Sequence, residues 1–127
     1  MSRALVVDDE FGIRHIVKLA LSRLKIEVLE AATAKAAMAS LETLVPDLVL
    51  MDLRLPDQSG LSLAQAMQAQ FPFLPIVFMS ASTELAQAAE QASVRAYLEK
   101  PFKLVQLQVL VEEILRERSE AGVETAP

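Results

Sequence analysis

The sequence has no cysteine, three glycines, one histidine and no apolar run as long as a membrane span. Lack of cysteine excludes disulfides, thiolate metal sites and thiol nucleophiles, and is compatible with a reducing compartment. Scarce glycine, with 53% hydrophobic residues, excludes a collagen-like or disordered chain. Basic residues are scattered along a chain of net charge −5, so the domain is not expected to grip nucleic acid or an anionic membrane by itself. From Met1 the chain runs directly into a short strand-like segment rather than the longer apolar stretch of a signal peptide, and the expected setting is the cytoplasm. Its 127 residues suffice for one domain with one good core. No internal repeat or low-complexity tract is evident.

The dominant stretch is Pro46-Asp47-Leu48-Val49-Leu50-Met51-Asp52-Leu53-Arg54-Leu55-Pro56, an apolar run ending at an acid and a proline-bearing loop. Apolar residues at every position suit a strand buried on both faces of a parallel sheet. Ala4-Leu5-Val6-Val7, stopping at Asp8-Asp9-Glu10, and Ile76-Val77-Phe78-Met79, stopping at Ser80, have the same character. Ile26–Glu30 and Ala96–Glu99 are mixed, as edge strands are.

Between the strands the period changes to that of helices. Ile13, Ile16, Val17, Ala20, Leu21 and Leu24 form one apolar face, with Arg14, Lys18 and Arg23 outside it. Thr33 is placed to cap a helix with Ala34, Ala37, Met38 and Leu41 inward. Ser59 can cap a third, with Gly60 easing the turn and Leu61, Ala64 and Met67 inward. An alanine-rich helix is expected from about Thr83 to Ala92. The last carries Leu104, Leu107, Leu110, Val111, Ile114 and Leu115, on an arc broadened by Val105 and Val109 that leaves room for a partner or for self-pairing. The folded domain is expected over residues 1–118, with 119–127 a flexible tail or the start of a linker.

Five strands alternating with five helices predict a single-domain, doubly wound α/β fold with right-handed crossovers. Solid strands at the centre and mixed ones at the edges fit the order 2-1-3-4-5, that of flavodoxin-like sheets. The first and third strands are then neighbours at the topological switch point. Asp8, Asp9 and Asp52 converge there, with Ser80 beside them and Lys100 reaching across.

Crowded carboxylates repel and require a cation. With few hard oxygen ligands and no cysteine or histidine cluster, Mg²⁺ suits better than zinc. Asp8, Asp9 and Asp52 with Lys100 carry −2, which one divalent ion neutralises. A phosphoryl group at Asp52 would find the metal, the Lys100 ammonium and the Ser80 hydroxyl aimed at its oxygens, and a carboxylate is a competent nucleophile for aspartyl phosphate formation.

In Asp8-Asp9, Pro46-Asp47 leading to Asp52, Pro56 and Gly60, Ser80-Ala81, and Tyr97-Leu98-Glu99-Lys100-Pro101-Phe102, the chain resembles the receiver domain of two-component response regulators over nearly its whole length. The resemblance implies that Asp52 accepts phosphate from a histidine kinase or phosphotransfer protein. It implies Mg²⁺ held by Asp9, Asp52 and the Arg54 backbone carbonyl, with Asp8 acting mainly through water. Lys100 and Ser80 would hold the phosphoryl oxygens, and Tyr97 would turn inward as Ser80 moves, presenting a changed surface to an effector. The module would be a signalling receiver assisting its own phosphorylation and dephosphorylation. A cis Lys100-Pro101 bond is also implied.

Departures from that family are Ser93-Val94 where Gly-Ala is common, and Ala34 in place of a common Gly. Arg54 and Ser82 stand where the family varies access of water to its phosphate. Tyr97 is read either as an aromatic packed on an edge strand or as the switch, and His15 as exposed with no role as a phosphate donor. An aspartate-nucleophile phosphatase of the haloacid dehalogenase type would need an acid where Arg54 stands, and cap insertions are absent. A receiver-like interaction module that works without phosphorylation is the remaining alternative.

Overall fold

The computed structural model describes residues 1–120. In chain order the elements are β1 (Arg3–Val7), α1 (Phe11–Ser22), β2 (Glu27–Ala31), α2 (Ala34–Thr43), β3 (Leu48–Asp52), α3 (Gly60–Gln70), β4 (Ile76–Ser80), α4 (Leu85–Ala92), β5 (Ala96–Glu99) and α5 (Leu104–Glu120). All strand pairs are parallel, in the order β2-β1-β3-β4-β5. The expected doubly wound α/β fold, with its solid strands central and mixed strands at the edges, is thus the observed one.

Period-2 alternation divides the core between the two faces of the sheet. Leu5, Val7, Val49, Met51, Ile76 and Phe78 pack in one cluster with buried residues of α2, α3 and α4. Ala4, Val6, Leu48, Leu50, Val77 and Met79 pack in the other with residues of α1 and α5. Every residue of β3 and β4 is buried. At roughly 1.5–3 kcal/mol for each large apolar side chain removed from water, these strands hold the sheet in one register. At the edge opposite the crevice, buried Asp47 accepts the Arg3 N–H at 2.8 Å, tying the entry of β3 to β1.

Local chemistry sets the helix starts. Thr33 accepts the Ala36 N–H and Ser59 the Ser62 N–H, as expected of these caps. Asp57, to which the sequence reading gave no role, reaches across from the loop after β3 and accepts the N–H groups of Ala34 and Lys35 at 2.9 Å each. These orphan donors at the start of α2 therefore gain a charged partner that also favours the helix dipole.

Several expectations shift in detail. On α1, Ile16 is 43% exposed, and Leu24 lies beyond the helix end. On α3, Leu63 is fully buried while Leu61 is only half-buried. α4 starts at Leu85 rather than Thr83, because Ser80 accepts the Ser82 N–H and Ser82 the Glu84 N–H, winding the preceding segment into turns. α5 runs two residues past the expected domain end at 118, and the remainder of that expected tail, residues 121–127, lies outside the described residues. Among the described residues no helix is long and apolar enough to cross a membrane.

Ser93 ends α4 in the left-handed conformation, with φ 52° and ψ 43°, at the position flagged as an unusual non-glycine. Beside it the Gln68 side chain donates to the Ala92 carbonyl at 2.7 Å, and Val94 packs on the core. A Cβ in that conformation carries a steric cost that glycine avoids. Ser93→Gly is therefore expected to raise stability by about 0.5–1 kcal/mol, the relief being partly offset by glycine's greater chain entropy. Urea unfolding checks this: the midpoint should rise at unchanged slope, and a lower midpoint would contradict it.

Candidate functional site

β1, β3 and β4 end side by side, and their carboxyl ends carry Asp8, Asp52 and Ser80. Val7 pairs with Met51, so Asp8, one step on, falls level with Asp52. Strand parity sends both carboxylates toward the face where α1 and α5 pack. Lys100, one residue beyond β5, reaches them from the far edge. Its Nζ donates to Asp8 Oδ2 at 2.7 Å and to Asp52 Oδ2 at 2.9 Å, and lies 3.7 Å from Glu10 Oε1. The Lys100-Pro101 bond is cis.

Asp8 is fully buried and Asp9 exposed. Asp8 Oδ1 accepts the Glu10 N–H at 2.9 Å, so both of its oxygens are engaged. Burial pushes the Asp8 carboxyl above its usual pKa, against the pull of Lys100 and the Glu10 N–H, and the nearby Asp52 charge adds to the rise. Burial alone would lower Lys100, but hydrogen bonds and charge from Asp8 and Asp52 outweigh it and hold the ammonium above its usual value. Asp52 Oδ1 accepts the Arg54 N–H at 3.1 Å.

Asp52, Ser80 and Lys100 line a crevice of about 410 Å³ with Asp9, Glu10, Arg54, Ser82 and Thr83, and the buried Asp8 stands behind them, bonded to Lys100. Carboxylate oxygens of Asp8, Asp9, Glu10 and Asp52 lie within 4.8 Å of one another. Oxygens this close together could share one small, hard cation such as Mg²⁺. Four carboxylates against one ammonium leave −3, one charge more than the sequence reading counted, because Glu10 joins the group. His15 is exposed and stacks on Phe11, away from the acids. The donor set is thus all hard oxygen, as Mg²⁺ prefers.

Of the predicted site residues, Asp9, Asp52, Arg54, Ser80 and Lys100 line this crevice, Asp8 joins them through Lys100, and Tyr97 stands apart. Tyr97 lies on β5, 48% exposed. Gly60, expected only to ease a turn, has a more specific part: a Cβ there would overlap the Asp52 carbonyl oxygen and sit 2.8 Å from Leu53 Cα. Its N–H donates to the Leu53 carbonyl at 2.7 Å, closing the loop that carries Arg54, and Arg54 bridges Ser59 within it.

This arrangement defines a doubly wound α/β domain with an acidic, cation-ready crevice at its switch point. A family model for the response regulator receiver domain matches residues 4–112. The chain is 39% identical over 119 residues to the response regulator protein PilR of Pseudomonas aeruginosa, covering 92% of this chain and 27% of PilR. The receiver domain of NtrX from Brucella abortus superposes with TM-score 0.83 at 35% identity, covering 89% of this chain and 98% of that one. A CheY-like receiver domain protein from Methanospirillum hungatei gives TM-score 0.89 at 30% identity, over 95% and 98% of the two chains. The chain belongs to the response regulator receiver domain family, the signalling modules of two-component systems. It spans about a quarter to a half of the length of the curated relatives it matches.

Gly60→Ala must displace the Asp52 backbone, so it is expected to cost about 1–3 kcal/mol of stability and to shift the Asp52 and Leu53 amide resonances; unchanged resonances at undiminished stability would contradict the close approach. Asp57 has its carboxyl held below the usual pKa by the Ala34 and Lys35 N–H groups. The unfolded chain therefore takes up the proton first as pH falls, and the stabilisation is complete above about pH 3.9 and lost through the lower folded value. Asp57→Ala should be less stable than the wild type at pH 7, with the gap closing toward pH 2 in urea titrations.

Proposed function

We propose that the domain is a phospho-accepting receiver in which Asp52 takes a phosphoryl group from a histidine kinase or a phosphotransfer protein. The observation that carries this is the single ammonium of Lys100 bonded to both Asp8 and Asp52 on the floor of an open acidic crevice. An Asp52 carboxylate oxygen would form the new P–O bond while the donor's imidazole nitrogen leaves. The Arg54 N–H and Lys100 orient that carboxylate, and Lys100 and the Ser80 hydroxyl are within the same crevice to meet phosphoryl oxygens. Asp9, Asp52 and the Arg54 carbonyl would hold Mg²⁺, with Asp8, its oxygens already engaged, acting through metal-bound water. When bound, the ion supplies the positive charge that lets an anionic donor approach four carboxylates.

The output would be a shift between existing arrangements of β5 and its flanking helices α4 and α5, with Ser80 drawn toward the phosphate and the exposed Tyr97 ring turning inward. The changed face would control an effector protein or domain, and Val105 and Val109, 59% and 57% exposed on α5, offer a surface for self-pairing. The setting would be the cytoplasm. An aspartate-nucleophile phosphatase is disfavoured by Arg54, a cation where its general acid would stand.

Intact mass after incubation with acetyl phosphate, with and without Mg²⁺, tests the assignment. A metal-dependent gain of one phosphoryl group is expected in the wild type and its loss in Asp52→Asn. No gain in folded wild type would favour the phosphorylation-independent interaction module.

A further inference from the structure

We propose that Arg14 is a positioning residue of the acidic crevice, acting through the backbone carbonyl of Asp8. The inference rests on the reading of that crevice as a Mg²⁺ site. By helical period Arg14 belongs to the outer face of α1 with Lys18 and Arg23, yet its side chain is only 15% exposed. It turns back along the helix to the strand ends instead of into water. Nη1 donates to the Asp8 carbonyl at 2.8 Å, and Nε donates to Glu30 Oε1 at 3.2 Å on the neighbouring edge strand. The Phe11 ring covers the guanidinium, 5.7 Å from its carbon.

The Asp8 carbonyl matters because the peptide plane that contains it also contains the nitrogen and Cα of Asp9. Rotating that plane swings the Asp9 carboxylate, the exposed member of the acid group. On its other side Asp8 is already held by its N–H on the Ala31 carbonyl and by its carboxylate on the Glu10 N–H and Lys100. Arg14 supplies the remaining restraint, with the rigid planar fork that lysine lacks. Glu30, 3.7 Å from Lys18 as well, balances the Arg14 charge, so the restraint is applied without a free cation beside the acids.

Positioning and charge predict opposite signs. If Arg14 acted only as a nearby cation, neutralising it would deepen the negative potential and tighten Mg²⁺. If it positions Asp9, neutralising it weakens Mg²⁺ by roughly tenfold or more, the usual effect of losing a partner that orients metal ligands. Calorimetric Mg²⁺ titration of the full chain, alongside thermal unfolding, separates the two. The expected result is weaker binding in both Arg14→Gln and Arg14→Lys, the second of which keeps the charge and loses only the planar fork. Should Arg14→Gln fail to fold, Arg14→Lys decides, because charge alone predicts no change there. Wild-type or tighter affinity in the folded variants, with the wild type binding Mg²⁺, overturns the positioning role alone. A wild type that does not bind Mg²⁺ overturns the metal-site reading and this inference with it.

Discussion

The structure depends on one problem in electrostatics: carboxylates from the ends of two neighbouring strands are brought to one place, and one ammonium answers them. Lys100 comes from the far edge of the sheet, 92 residues along the chain from Asp8, and bonds both Asp8 and Asp52. Such a group of charges is costly to bury. It is tolerated because the apolar strands beneath it are buried on both faces and fix where the carboxylates emerge. Repulsion left over after Lys100 is the charge that a small, hard cation would neutralise.

Much of this was legible in the sequence because strand burial and strand ends leave simple marks. A solid run such as Leu48–Met51 reads as central, and the residue that breaks it reads as the group at the sheet's carboxyl edge. Asp52, Asp8 and Ser80 were found that way, and the strand order followed from the contrast with the mixed runs at Ile26–Glu30 and Ala96–Glu99. Ala34, Ala37 and Leu41 gave away the inner face of α2 by spacing alone.

Much of what was not legible consists of bonds from side chains to backbone outside their own element. Asp57 satisfies the start of α2 across the sheet edge, Arg14 restrains a carbonyl of the preceding loop, and Gln68 bonds the end of α4. None of these alters an apolar period, so no pattern betrays the partner. The true part of Gly60 was hidden because its constraint is a close approach to the backbone of Asp52, which only the folded chain creates. A late helix start at Leu85 likewise came from serine hydroxyls bonding local N–H groups, which compete with the helix for its first turn.

These bonds are also unevenly distributed, which bears on how a change of charge at Asp52 would spread. The loop after β1 is pinned by Arg14 and Lys100, and the loop after β3 by Asp57 and by Gly60 packed on Asp52. On the β4 side, Ser80, Ser82 and Glu84 are linked by local bonds, and α4 beyond them is the shortest helix, without a side-chain cap at its start. Its far end is held, by Gln68 on Ala92 and by Val94 in the core. New oxygens at Asp52 would therefore meet fixed walls on two sides and a yielding one on the third. Segments of low local stability are where conformational change is drawn from. On the proposed reading, the response runs through Ser80 toward the start of α4 and the neighbouring Tyr97, because the segment after Ser80 is held by local serine bonds rather than by side chains from other elements.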